Sequence, residues 1–238
     1  MKFTELNELQ MPTWRWLDMN AAQLETDAAL DTPYKGGTLS GAEWLVMGDG
    51  AGCRPAESLP GDLGRLRAFV QKNQNYGLTL TIPRGLRLEE PVVLDFVLDQ
   101  SAPVLVDFLQ IRAEADSRAD IVVRYRSAGD GAYFHAGFAL LQAEPGSQVR
   151  LMKVQTLGPR DAHLDGTAVE VEADAQGGAL FCELGGGQVV SGCNVALSGA
   201  GSRGSLETLY LGGDGRKQDF NYRLELRGPG SEGIKIAE

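Results

Sequence analysis

The sequence predicts an all-β fold built as a solenoid, preceded by a short, partly helical N-terminal segment. Two observations carry this prediction. Apolar residues alternate strictly with polar ones after residue 76, and a unit of turn-forming residues followed by alternating apolar ones recurs along the chain. The 238 residues also include 31 glycines, which the tight corners of a solenoid require. We divide the chain into an N-terminal segment, residues 1–75, and a solenoid core, residues 76–238.

The N-terminal segment carries two helix signals. Asn20 is suited to cap a short helix from Ala21 to Leu30, and Asp62 is suited to open a second helix. Four apolar side chains share one face of this second helix: Leu63, Leu66, Phe69 and Val70. We therefore predict helical structure before the first strand of the core.

Three alternating apolar runs begin the core. They consist of Leu78, Leu80 and Ile82; Val92, Leu94, Phe96 and Leu98; and Val104, Val106 and Phe108. Prolines 83, 91 and 103 lie between or at the edges of these runs, where a missing amide hydrogen does least harm. The runs predict short strands with one buried face each.

The recurring unit appears as ADSRADIVV, EPGSQVRLM, AQGGALFCEL, GAGSRGSLETL and GPGSEGIKI. Alignment of Ile121, Val149, Leu180, Leu206 and Ile234 gives spacings of 28, 31, 26 and 28 residues, close to one turn of a solenoid. A β-sandwich also has short strands and glycine turns, so the spacing alone leaves that alternative open. In a solenoid we expect these side chains to point inward: Leu80, Val106, Ile121, Leu151, Leu206 and Ile234.

Composition excludes several classes of function. Thirty-two acidic against twenty-two basic side chains give a net charge of −10, which repels nucleic acid and anionic membranes. No run reaches the roughly 20 apolar residues of a membrane span, and the N-terminus lacks the apolar core of a signal peptide. Cys53, Cys182 and Cys193 show no C-x-x-C spacing, which fits reduced thiols. We expect a cytoplasmic protein without nucleic-acid or membrane partners.

Residues Leu184–Ile236 contain a series of short motifs in a fixed order. The series consists of Gly185 and Gly186, Leu197–Gly201, Tyr210 and Leu211, and Asp219. It resembles the core of the SufB/SufD family, which helps assemble iron–sulfur clusters. Pro12–Asn20 is likewise similar to the N-terminal signature of shorter family members. The chain departs from the family at Arg227, where the family carries a histidine, and keeps the next element in compressed form as Pro229 and Ser231.

The resemblance implies a right-handed parallel β-helix that acts as a non-enzymatic scaffold or assembly component of the SUF system. In the family, further coils and a helical C-terminal domain follow, and this domain docks on the ATPase SufC. The resemblance therefore implies a β-helix core without that domain, with SufC as a partner only if a longer form exists. We expect this chain alone to bind no iron–sulfur cluster stably, whereas a complex could hold one.

The candidate metal ligands are few. Cys182 and Cys193 could bind a soft metal as thiolates, and His135 and His163 could bind one through imidazole. The apolar run around Cys182 favours a buried structural thiol. Aromatic neighbours favour a packed, hydrogen-bonded His135, and two flanking aspartates favour an exposed corner for His163.

Catalysis finds little support in the sequence. A nucleophile-elbow motif, a phosphate loop and a dinucleotide fingerprint are all absent. A carbohydrate-active β-helix would need paired carboxylates, and Asp116, Asp120 and Asp130 form the only loose acidic cluster. A degenerate β-helix that binds a partner without cluster chemistry is the other alternative. We expect no enzymatic activity.

The last coil predicts an interface. The end of a solenoid exposes strand edges and an apolar cross-section, which need a cap or a partner. The resemblance implies pairing through sheet edges near this end. We expect a homodimer, or a heterodimer with a SufB/SufD-type protomer, joined through Tyr222, Leu224, Leu226, Ile234 and Ile236.

Overall fold

The computed structural model describes residues 2–6, 22–25, 33–48, 62–213 and 215–238. In this part of the chain, four short strands precede a helix: β1 Lys2–Leu6, β2 Ala22–Glu25, β3 Gly37–Ser40, β4 Val46–Gly48 and α1 Asp62–Asn73. Twelve strands follow the helix: β5 Tyr76–Ile82, β6 Val92–Leu98, β7 Val104–Ala113, β8 Arg118–Ser127, β9 Phe134–Ala143, β10 Gln148–Thr156, β11 Ala162–Val171, β12 Gln176–Glu183, β13 Gln188–Leu197, β14 Arg203–Tyr210, β15 Lys217–Leu226 and β16 Glu232–Ala237.

Two seven-stranded sheets face each other. Sheet I has the strand order β16-β14-β12-β10-β8-β6-β3, and sheet II has the order β15-β13-β11-β9-β7-β5-β4. From β5 onward, neighbours within each sheet are parallel, while β3 and β4 add antiparallel strands to the ends of the sheets. Each coil of the chain thus gives one strand to each sheet. The predicted all-β solenoid with parallel sheets is confirmed.

Six tight turns stack along one side of the solenoid, where the chain passes from sheet II to sheet I. In each turn the fourth residue donates its amide hydrogen to the first carbonyl, as Ser117 does to Glu114 over 3.1 Å. The third residue has a positive φ, as in a type II turn: Gly85, Asp116, Gly146, Asp174, Gly201 and Gly230. These turns are the recurring glycine- and aspartate-containing units of the sequence.

The apolar interior lies between the two sheets. As predicted, Leu80, Ile121, Leu151 and Leu206 are buried there. The parallel register stacks Ile121 beside Leu151 in the next coil. Alternating side chains therefore form columns along the solenoid axis.

The predicted inward orientation is wrong for two residues, Val106 and Ile234. Val106 is buried on the outer face of sheet II, beneath helix α1, and its neighbour Leu105 points inward instead. Ile234 is 62% exposed, because Lys235 and not Ile234 stands opposite Leu206 in the ladder. In each case a shift of one residue moves the side chain to the other face.

Helix α1 begins at Asp62, as the sequence predicts, and buries Leu63, Leu66 and Val70 against the outer face of sheet II. The helix predicted from Ala21 to Leu30 is wrong over residues 22–25. These residues form β2 and pair antiparallel with β1, which fits their alternation of apolar and polar side chains. The rest of that prediction and Cys53 lie outside the described residues. Among those that are described, no helix is long and apolar enough to cross a membrane.

Candidate functional site

The interior of the middle coils contains ionisable side chains as well as apolar ones. Seven of these residues form the interior cluster: Asp107, Tyr125, His135, Lys153, His163, Asp165 and Glu183. They are at most 4% exposed. They come from β7 to β12 and occupy inward positions on both sheets. Because successive coils stack in register, side chains about 30 residues apart in sequence meet inside the solenoid.

A line of hydrogen bonds runs through Asp107, His135 and His163. Nε2 of His135 lies 2.6 Å from Oδ1 of Asp107, and its Nδ1 lies 2.7 Å from Nδ1 of His163. Tyr125 donates its hydroxyl to the other oxygen of Asp107 over 3.1 Å. Since a carboxylate only accepts, His135 uses its Nε2 hydrogen on Asp107. The contact between the imidazoles then requires His163 to donate from Nδ1.

Glu183 lies at the other side of His163. Its Oε2 is 3.8 Å from Nε2 of His163 and has no hydrogen-bond partner among the described residues. Burial, followed by the charge of Asp165, raises the pKa of Glu183 to about 7. The buried carboxylate oxygen and the imidazole therefore face each other without a formed hydrogen bond.

Lys153 and Asp165 form a buried ion pair beside the histidines. Nζ of Lys153 donates to both oxygens of Asp165, over 2.7 Å and 2.9 Å. Burial raises the pKa of Asp165, although Lys153 opposes that shift. Burial also lowers the pKa of His163 well below its ordinary value, and His135 and Lys153 add to that effect. A neutral imidazole, the form that binds metals, is therefore favoured at His163.

The absence of a side chain at Gly137 leaves room for Asp165 and His135 of the interior cluster. In the ladder of sheet II it stands between Asp107 and Asp165. A Cβ at this position would lie 2.8 Å from Oδ1 of Asp165 and 2.9 Å from the ring of His135. Glycine in a strand interior often marks a position that other atoms approach closely, and at Gly137 two polar side chains do so.

The structure brings the two predicted histidine candidates together. His135 is packed and hydrogen-bonded, as its aromatic neighbours indicate. The exposed corner expected for His163 is wrong, because residue 163 lies in β11 and points inward. The corner is formed instead around Asp161, whose carboxylate accepts amide hydrogens from Tyr133 and Gly158.

The two described cysteines face different environments. Cys193 is buried in the interior on β13, as expected for a structural thiol, whereas the burial expected for Cys182 on β12 is wrong, because that side chain is only half-buried. The residues on either side of Cys182, Phe181 and Glu183, point inward, so Cys182 faces outward. Burial raises the pKa of both thiols, most strongly that of Cys193.

Sequence reasoning missed the other members of the interior cluster: Asp107, Tyr125, Lys153, Asp165 and Glu183. A signal was present in the stretch VLVDFLQI, where Asp107 interrupts an apolar strand. Whether Asp107 lies inside the solenoid depends on which face of the strand points inward, and the predicted alternation placed Val106 and not Asp107 inward. Charged residues in such strands are recognisable as interior only after the coil register is known.

The residues of the expected interface lie in the last coil of the described structure. Tyr222 and Leu224 of β15 are half-buried, while Leu226, Ile234 and Ile236 are 54%, 62% and 44% exposed. Strands β15 and β16 stand last in their sheets.

These features define a β-solenoid protein with stacked parallel coils, a polar interior in its middle coils and apolar side chains at one end. The chain matches the family model described as SUF system FeS cluster assembly, SufBD core domain, over residues 96–237. A comparison with curated proteins finds no significant match. Because the family match covers more than half of the chain, the protein belongs to the SufBD core domain family and is involved in SUF-type iron–sulfur cluster assembly.

Proposed function

We propose that the chain is a non-enzymatic, cytoplasmic scaffold of SUF iron–sulfur cluster assembly that works as one protomer of a SufB/SufD-type pair. The family match over residues 96–237 carries this proposal. The match spans the coils from β6 to β16. It therefore includes both the polar interior and the sheet edges through which a second protomer would be bound.

Within the described part of the chain, the edge of sheet I has backbone groups without a strand partner, which suit strand pairing. Glu232 and Glu238 donate their amide hydrogens toward the β14 side, to Ser202 and Thr208. Since amide direction alternates along a strand, the amide hydrogens of residues 233, 235 and 237 face away from β14. Unpaired edges of this kind recruit further strands.

Apolar side chains surround this edge. Ile234 and Ile236 occupy the outer face of β16, and the exposed Leu209 lies at the end of β14. Lys235 instead turns across the end of the solenoid, where its Nζ donates to the carbonyl of Tyr222 over 2.6 Å. The exposed isoleucines and the free edge amides favour a second β-solenoid protomer as the partner.

Pairing is tested by light scattering after size exclusion over a concentration series, with the chain alone and with a co-expressed SufB/SufD-type protomer. A Lys235→Pro, Ala237→Pro double variant removes two edge amide hydrogens, and the matched Lys235→Val, Ala237→Val variant keeps them. We expect the valine variant to pair like the parent and the proline variant to remain monomeric. A strictly monomeric parent at about 100 μM, with no capture of the co-expressed protomer, contradicts the proposal.

The scaffold role includes no catalysis by this chain. We expect the isolated chain to hydrolyse no ATP, because its sequence contains no phosphate loop. We also expect it to retain no stable cluster, because Cys193 is buried and Cys182 faces outward, away from Cys193. Anaerobic reconstitution with iron and sulfide, followed by absorption spectroscopy, tests this expectation on the chain and on the pair. A stoichiometric cluster on the isolated chain, lost in a Cys182→Ser, Cys193→Ser double variant, would contradict it.

A further inference from the structure

Three side chains of the interior cluster converge as metal ligands do. One ligand atom from each of His135, His163 and Asp165, a ring nitrogen or a carboxylate oxygen, lies within 4.8 Å of the other two. The Nδ1 atoms of His135 and His163 are 2.7 Å apart, and the donor nitrogens of two imidazoles on one tetrahedral ion stand about 3.3 Å apart for bonds of about 2.0–2.1 Å. An increase of about 0.6 Å in the distance between the two Nδ1 atoms would bring it to that value.

Each of the three groups has a partner of the kind that orients a metal ligand. His135 directs its other nitrogen at Asp107 over 2.6 Å, and His163 directs its other nitrogen at Glu183 over 3.8 Å. Lys153 holds the carboxylate of Asp165. Ligating histidines in proteins characteristically donate their second N–H to a carboxylate, which fixes the ring and its tautomer.

The unpaired oxygen of Glu183 is an independent sign of a bound ion. Without an ion, neutral His163 carries its ring hydrogen on Nδ1 and donates it to His135. Nε2 of His163 then has only a lone pair toward Oε2 of Glu183, which is left without a hydrogen-bond donor. If Nδ1 of both rings binds an ion, each ring carries its hydrogen on Nε2. His163 then donates to Glu183, and the buried oxygen gains its missing partner.

The charge of the cluster also favours a divalent cation. Asp107, Asp165 and Glu183 contribute three carboxylates, and Lys153 contributes one ammonium group. The carboxyl groups thus outnumber the ammonium group in a buried site, where uncompensated charge is costly. A bound divalent cation would supply the positive charge that this set of side chains lacks.

We propose that His135, His163 and Asp165 form a mononuclear binding site for a divalent first-row transition ion inside the solenoid, with Asp107, Glu183 and Lys153 as its orienting partners. Two imidazoles and one carboxylate suit Zn²⁺ or Fe²⁺. They do not suit Mg²⁺ or Ca²⁺, which prefer oxygen ligands. The site is independent of the scaffold role and of the cysteines.

Cobalt and zinc uptake by the whole chain test the site. Because the ligands are buried, an ion enters only through local opening, so the chelator-treated protein is loaded by long native incubation and also by refolding from urea. We expect one Co²⁺ per chain with visible absorption bands, and X-ray absorption of the zinc form showing nitrogen and oxygen neighbours only. Uptake below about 0.1 ion per chain by both routes, or a sulfur neighbour at about 2.3 Å, overturns the proposal.

Variants assign the ligands. We expect His163→Gln and Asp165→Asn to lose Co²⁺ uptake, and Asp107→Asn, which alters only an orienting partner, to weaken it about 10- to 100-fold. Cys182→Ser and Asp120→Asn, both outside the cluster, are the matched controls and should bind like the parent. Full uptake by a folded His163→Gln protein overturns the assignment, and if that variant does not fold, the X-ray absorption of the parent decides.

Discussion

Lys153 and Asp165 join the two sheets through the interior: the lysine projects from β10 of sheet I, the aspartate from β11 of sheet II, and Nζ lies 2.7 Å and 2.9 Å from the carboxylate oxygens. Both side chains are buried. Removal of one partner from such a pair leaves an uncompensated charge, which costs more than the pair itself contributes.

Lys153→Met should therefore lower the free energy of unfolding by roughly 3–5 kcal/mol. A Lys153→Met, Asp165→Asn double variant should recover much of this loss, because neither member of this pair is then left as an unpaired charge. Urea denaturation in the presence of a chelator measures both. Losses that simply add in the double variant would show that the two side chains do not act as a pair.

Gly137→Ala should destabilise the protein by about 1–3 kcal/mol, because its methyl group would enter the space held by Asp165 and His135. Gly64→Ala is the matched control. No atom lies within 4 Å of a Cβ at Gly64 in helix α1, and alanine there should stabilise the helix by up to about 1 kcal/mol. Thermal unfolding of the two variants should shift in opposite directions, and equal shifts would contradict the close packing at Gly137.

Glu183→Gln should change the pH dependence of stability. The folded pKa of Glu183 is raised from 4.5 to about 7, so the folded state binds the extra proton between these values, and the free energy of unfolding falls as pH rises through this window. Glutamine removes that fall. Relative to the parent, the metal-free variant should gain up to about 3 kcal/mol between pH 4.5 and 7.

The measurement for this prediction is urea denaturation of both proteins at several pH values with a chelator present. The lowered pKa of His163 has the opposite sign, since it makes stability rise with pH, but it contributes to both proteins and largely cancels in the difference. A difference that stays constant from pH 4.5 to 7 would show that Glu183 ionises inside the protein as readily as in the unfolded chain.

Leu151→Asp should unfold the protein, because Leu151 is fully buried in the interior and an unpaired buried carboxylate costs several kcal/mol of a typical stability of about 5–15 kcal/mol. Met152 is the next residue of β10 and faces outward, half-buried. Met152→Asp should therefore fold and melt close to the parent. Circular dichroism melting compares the two, and similar curves would mean that the inward face is assigned wrongly.

The sequence was sufficient to predict the solenoid because its corners repeat. Each stacked turn needs a residue that tolerates a positive φ, and glycine or aspartate fills that position in every coil, as in Asp116 and Gly146. These residues recur at the spacing of one coil and are visible without a structure. The family resemblance rests on the same region, and the match over residues 96–237 confirms it.

The inward face of β7 was not predictable from alternation. Helix α1 covers the outer face of this strand, so Leu105 and Val106 are both buried, on opposite faces. A strand buried on both faces has no polar side to mark its orientation. The interior cluster was missed for the same reason, since Asp107 enters it only when Leu105 points inward.

The stacked coils make the molecule nearly one-dimensional. Each coil rests mainly on the coil before and the coil after it, as β11 rests on β9 and β13, so local opening at an end breaks one interface, whereas opening in the middle breaks two. Amide hydrogens should accordingly exchange with solvent on a gradient, fastest in β16 and slowest near β10 and β11. The interior cluster lies in these middle coils. Its buried ionisable side chains should therefore be the last to meet water when the coils open from an end.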